Sequence, residues 1–194
     1  MQAKHVWRKL FLTSLIITLL GLWGGWYLTT QSEPATMELP NAYLNANLVS
    51  LYLQPAVLIL IYNQILTFRK INLLVGVRQW TNKMIARLLI LATLDCLLFC
   101  AGLIIPYLMT DFPFFRNGSP LLGTALLLLH VAVLILMAWL LVGAYQMRYP
   151  QLLVFIVIII DLVYHFYFEK QALILYSPLY DPLYRAVHRI YGGY

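Results

Sequence analysis

Asp95, His130, Asp161 and His165 are ionisable side chains set inside long apolar runs, and their types define the chemistry this chain could carry. A carboxylate and an imidazole can share or relay a proton, and both can ligate a metal ion. Asp161 and His165 stand four residues apart, so a helix puts them on one face. There they could form a charge pair, part of a proton path, or two ligands of a metal. Asp95 could pair with His130 or with a partner subunit. All four could equally be interhelical hydrogen-bonding groups that fix packing, worth about 0.6 kcal/mol per contact within a membrane. A charge at mid-bilayer costs about 2.5–3.5 kcal/mol on insertion scales, so such groups turn toward the protein interior.

Other catalytic constellations are missing from the sequence. Metal-dependent catalysis calls for at least three converging ligands, and no HExxH or comparable spacing occurs. Ser14 and Ser50 have no sequence-adjacent base, and no glycine-rich phosphate loop or Walker motif is present. Any ATP would therefore be hydrolysed by another polypeptide. No cofactor or metal is called for. Cys96 and Cys100 are one helical turn apart, which is neither a CxxC redox pair nor a zinc half-site. They read as small buried hydrophobes.

The elements that must hold these residues follow from composition. Of 194 residues, 62% are hydrophobic and 10% charged, against about 25% charged in a soluble domain. So much apolar surface calls for lipid as the solvent. Five segments approach the roughly 20 apolar residues that a crossing helix needs: Leu10–Leu28, Val49–Phe68, Leu88–Thr110, Leu121–Tyr145 and Leu152–Phe168. Lipid leaves no partner for an open strand edge, so all five should be helices. The fold class is thus all-α, a polytopic membrane helix bundle forming a single transmembrane domain over residues 1–194. Pro55 and Pro106 fall near helix ends, where a missing N–H costs little. The first span is long and Trp-rich without a small-residue cleavage site, and reads as a retained signal anchor.

Cations vote on orientation. Lys4, Arg8, Lys9, Arg69, Lys70, Arg78, Lys83, Arg87 and Arg148 precede span one or lie between spans two and three or four and five, whereas Arg116 alone lies between spans three and four. By the positive-inside rule the N-terminus is cytoplasmic and the C-terminal tail extracellular, although Arg185 and Arg189 in the tail run mildly against the rule. The protein should be a multi-pass component of the cell membrane. The net charge of +6 then sets topology and lipid contact, with no role in nucleic-acid binding.

Between spans two and three lies FRKINLLVGVRQWTNKMIARLL, residues 68–89. Leu73, Val77, Met84 and Leu88 form one helical stripe, and Arg69, Asn72, Gly76, Gln79, Lys83 and Arg87 the opposite one. Residues 69–87 are expected to be a basic helix lying in the cytoplasmic interface, anchored by Trp80. It either contacts anionic headgroups as a topology determinant or docks a cytoplasmic partner. Gly21 and Gly25 in span one have GxxxG spacing, a packing surface within the chain or toward a second copy. After span five, Tyr176, Tyr180, Tyr184, Val187 and Tyr191 share a face, as in an aromatic interfacial or re-entrant segment.

An N-terminal inside span, a second span, a basic segment with an Arg–x–Trp pattern and further spans together resemble the permease subunits of ABC-2 type transporters, in particular the small ones tied to bacteriocin or lantibiotic export and immunity. The resemblance implies that Arg69, Lys70, Gly76, Arg78, Trp80 and Lys83 correspond to the coupling region that sits against a separate ATPase subunit. Those permeases usually carry six spans, whereas here EKQALILYSPLYDPLYRAVHRIYGGY follows the fifth. The expected function is therefore a non-enzymatic permease subunit of an ATP-driven exporter, moving an amphipathic substrate such as a peptide or lipid. Its expected partners are membrane lipid, a cytoplasmic ATPase and a second permease copy or homologue. A non-transporting accessory or immunity protein acting by helix–helix interaction is one alternative. An intramembrane enzyme using Asp161 and His165 is another.

Overall fold

A computed structural model describes residues 2–31, 37–70, 80–181 and 184, with side chains from Trp7 onward except Gln31 and outside the remaining gaps. Among the described residues there are helices and no strands. Helix α1 covers Gln2–Gln31 and the short α2 covers Leu39–Leu44. Helix α3 spans Val49–Arg69, α4 Thr81–Leu108, α5 Pro120–Tyr145 and α6 Pro150–Tyr176. Among the described residues, helices α1, α3, α4, α5 and α6 are the five that are long and apolar enough to cross a membrane. The chain is an all-α, multi-pass membrane bundle.

Its surface has the polarity that lipid demands. Leu94, Leu97 and Ile105 on α4, Leu128, Leu136 and Leu140 on α5, and Phe155, Ile159 and Val163 on α6 are all exposed. Among the described residues, ten polar or charged side chains are instead buried, Asp95, His130, Asp161 and His165 among them. Water would penalise the first set and hydrocarbon the second, so the arrangement is stable only with hydrocarbon outside.

Helices α1 and α4 make the closest contact in the bundle. A Cβ on Gly21 would lie 2.5 Å from the Phe99 carbonyl oxygen, and one on Gly102 would lie 2.9 Å from that of Thr18. Gly25 meets the Leu103 carbonyl in the same way. The GxxxG surface thus packs within the chain, where missing side chains let two backbones touch.

The basic ends of three helices meet. One pocket is bordered by Lys9 of α1 and Lys70 just after α3, and its neighbour by Trp7, Phe68 and Arg87 of α1, α3 and α4. We call this the basic end. At the far end, Glu38 joins α2 to the α4–α5 connection and to the end of α6.

Three boundaries differ from expectation. Of the expected interfacial helix 69–87, residues 71–79 lie outside the described residues, and residues 81–87 belong to α4, which begins at Thr81 and runs unbroken to Leu108. No Gly or Pro interrupts residues 81–89, so the pattern simply continues into the span. Its 28 residues extend about 42 Å, longer than a hydrocarbon core of about 30 Å. Helix α6 likewise passes Phe168 and ends at Tyr176, through a π-turn at His165–Glu169. Partners within the bundle compensate the Glu169 charge that had marked the end of the run. The aromatic segment also differs. The chain turns extended at Ser177 and then makes a 3₁₀ turn at Pro178–Tyr180, and Tyr176 and Tyr180 are buried. Val187 and Tyr191 lie outside the described residues.

Candidate functional site

Glu169 is the centre of a buried hydrogen-bonded chain in the half of the bundle nearer Glu38. Its Oε1 accepts from His130 Nδ1 and its Oε2 from His165 Nδ1, the latter at 2.8 Å. Two elements supply these atoms. Helix α5 contributes His130, and the π-turn inside α6 contributes both His165 and Glu169. Such π-turns recur at functional sites because the added residue re-aims side chains. A second π-turn, Val49–Leu53, leads into Gln54, which completes the chain.

The donors assign the protons. Gln54 Nε2 stands 2.8 Å from His130 Nε2. An amide N–H can only donate, so His130 accepts on Nε2 and carries its proton on Nδ1, toward Glu169. On the other side, His165 Nε2 lies 3.4 Å from Asn47 Oδ1, which also accepts from Lys170 Nζ at 3.1 Å. Gln54, His130, His165 and Glu169 are buried, whereas Asn47 is exposed. The chain therefore leads from the bundle interior to its surface. Chemically it can hold a proton between two imidazoles and a carboxylate, or pass one toward Asn47 and Lys170. Tyr43 braces it: its ring meets His130 edge-on at 6.1 Å, and its hydroxyl donates to the Cys100 carbonyl at 2.8 Å. A cavity of about 100 Å³ bounded by Leu44, Leu129, Tyr164 and Phe168 reaches Glu169.

The expected pairings are only partly met. His165 does use the residue four positions along its face, but in the direction of Glu169, and Asp161 is not its partner. Asp161 Oδ2 makes no hydrogen bond, although Glu169 and His130 lie within Coulombic range. Asp95 does not meet His130. Its Oδ1 accepts from Ser14 at 2.6 Å, since α4 packs on α1 at that level. Among the described residues, no group of three or more His, Cys, Asp or Glu side chains could hold a metal ion.

A second hub was not foreseen at all. Glu38, completely buried, accepts on Oε2 from the backbone N–H of Arg116 at 2.7 Å, that of Asn117 at 3.0 Å and the Tyr176 hydroxyl at 3.1 Å. Its Oε1 accepts from Tyr180, and Asn117 Nδ2 reaches the same phenol oxygen at 3.2 Å. Burial first, and then the bond to Glu38, push the Tyr180 phenol well above its ordinary value. One carboxylate thereby ties three connections together.

At the basic end, Arg69 closes α3, with Lys70 just beyond it, while Lys83 extends over the Trp80 ring at 6.0 Å. Gly76 and Arg78 lie outside the described residues. Sequence reasoning missed Glu169, Glu38, Gln54, Asn47 and Gln64. Only Glu169 carried a usable signal, its i,i+4 relation to His165. No family model, curated protein or solved structure matches this chain.

Proposed function

We propose that this protein is the permease subunit of an ATP-driven exporter in the cell membrane, its N-terminus cytoplasmic, moving an amphipathic peptide or lipid. One observation carries the reading: cations in or next to three helices, Lys9, Lys70 and Arg87, border two adjoining pockets at a single end of the bundle. Lys83, exposed on the same helix as Arg87, adds a fourth. Such an end offers a separate ATPase a charged docking face that is rigidly joined to spans one to three. A push there would reach the interior through the α1–α4 backbone contact. The buried chain around Glu169 supplies polar groups that a moving bundle could rearrange.

The test is affinity purification of the tagged chain from its native membranes. A Walker-type ATPase should accompany it, and Lys70→Glu with Lys83→Glu should release that ATPase and stop export. Retention of the ATPase by the double variant, or no ATPase in the wild-type preparation, would end the proposal.

Helix α1 favours a second reading. Phe11, Leu15, Leu19, Trp23 and Trp26 are exposed along it, a stripe that a partner's transmembrane helix could cover. A non-transporting accessory or immunity protein would work that way, and would keep full activity when nucleotide hydrolysis is abolished.

A further inference from the structure

We infer that the pocket between α1 and α3 at the basic end binds the phosphate of an anionic phospholipid whose headgroup carries hydroxyls, the phosphatidylglycerol type. The pocket encloses about 410 Å³ and is lined by Lys9, Thr13, Asn63, Gln64, Thr67 and Lys70. Neither lysine is paired with a carboxylate among the described residues. Gln64 is the decisive group. It is only 3% exposed; its Oε1 has no hydrogen-bond partner, while its N–H side has the buried Asp95 carboxylate as polar neighbour. An unsatisfied buried amide oxygen is costly. A ligand in this pocket would satisfy it.

The donor inventory selects the ligand. Lys9, Lys70 and the amide N–H groups of Asn63 can all donate to phosphate oxygens. Thr13 and Thr67 spend their hydroxyl protons on the carbonyls of Lys9 and Asn63, at 3.0 and 2.9 Å. Their oxygens, with Gln64 Oε1, are left as acceptors. Phosphate flanked by hydroxyl donors matches that set, and a choline headgroup, with no donor at all, does not. Leu10 also lines the adjoining apolar pocket of about 580 Å³, with Trp7, Met84, Leu88 and Leu91. An acyl chain attached to the phosphate would continue there. The Asp95 carboxylate is fully buried, bonded to Ser14 and within reach of the Gln64 amide, and it is not among the residues that line the pocket. The inference needs neither the exporter reading nor a particular orientation of the chain.

The experiment is native mass spectrometry of the detergent-purified full chain, titrated with phosphatidylglycerol, phosphatidic acid, phosphatidylcholine and inorganic phosphate. Phosphatidylglycerol should bind at least about tenfold more tightly than phosphatidylcholine. Lys9→Ala with Lys70→Ala should abolish that preference, as expected for two charge-assisted contacts. Gln64→Leu should bring phosphatidylglycerol and phosphatidic acid together. Arg148→Ala, a cation off the pocket that packs on Tyr149, should change nothing. Equal binding of phosphatidylglycerol and phosphatidylcholine overturns the site, as does a double lysine variant that binds like wild type. Inorganic phosphate competing as well as the lipid would overturn the lipid as the source of the anion. Both lysines are exposed, so their replacement leaves the fold intact. An unchanged detergent gel-filtration profile checks this.

Discussion

Replacing Glu169 by glutamine is the sharpest perturbation of the buried chain. The carboxylate accepts from two imidazole N–H groups, and its side chain is 3% exposed. Glutamine keeps one acceptor oxygen but turns an N–H toward the other histidine, donor against donor. Two bounds set the magnitude. Hydrogen bonds within membranes average about 0.6 kcal/mol because the unfolded span finds other partners. Breaking a buried ion pair from one side costs about 3–5 kcal/mol, since the remaining charge is stranded. Glu169 lies near the far end of α6, where an unfolded span can reach water, so the lower bound weighs more. A loss of about 2 kcal/mol is expected, and about 3 for Glu169→Ala, which removes both acceptors. The assay is reversible unfolding in mixed micelles, with Asp111→Asn as the exposed control, expected within about 0.5 kcal/mol of wild type. A double-mutant cycle with His165→Asn should return a coupling of about 1 kcal/mol. If Glu169→Gln unfolds with the control, or the cycle shows no coupling, the chain contributes nothing to the fold and the proton assignment loses its basis.

Other outcomes follow from the remaining contacts. Gly21→Val drives a Cβ into the Phe99 carbonyl and should cost about 1–3 kcal/mol by overpacking in the same unfolding assay. Gly143→Ala, whose Cβ would meet only Leu153 Cδ2 at an ordinary 3.5 Å, should be neutral; equal losses for the two would refute the close-approach argument. Glu38→Ala removes the oxygen that accepts from the backbone N–H groups of both Arg116 and Asn117, and their hydrogen exchange should quicken. The raised Tyr180 phenol keeps its proton in the folded state. Its contribution is therefore complete below about pH 10, the ordinary tyrosine value, and fades as pH rises through the higher folded value. A stability–pH profile on the alkaline side should be flatter for Tyr180→Phe than for wild type.

Length and hydrophobicity decided the number and class of the elements before any contact was known. Each run between charged clusters is long enough to replace water by hydrocarbon, and a backbone in hydrocarbon must close its own hydrogen bonds as helix. Cation placement made the basic end legible in the same way: charges that cannot enter lipid collect where helices leave it. Pairing was a different matter. Asp161 and His165 have ideal spacing, yet the partner of His165 is Glu169. The π-turn aims His165 and Glu169 together, and α5 brings His130 to the other carboxylate oxygen. Helical periodicity holds no information about a neighbouring helix. Glu38 was invisible for a related reason. In sequence it is one acidic residue in a polar connector, and only the meeting of three distant segments turns it into a buried hub. Hydrophobic runs act through each residue's own transfer free energy, which is local and can be read in order along the chain. The buried polar groups are stable only through partners tens of residues away, and those partners exist only once the helices have packed.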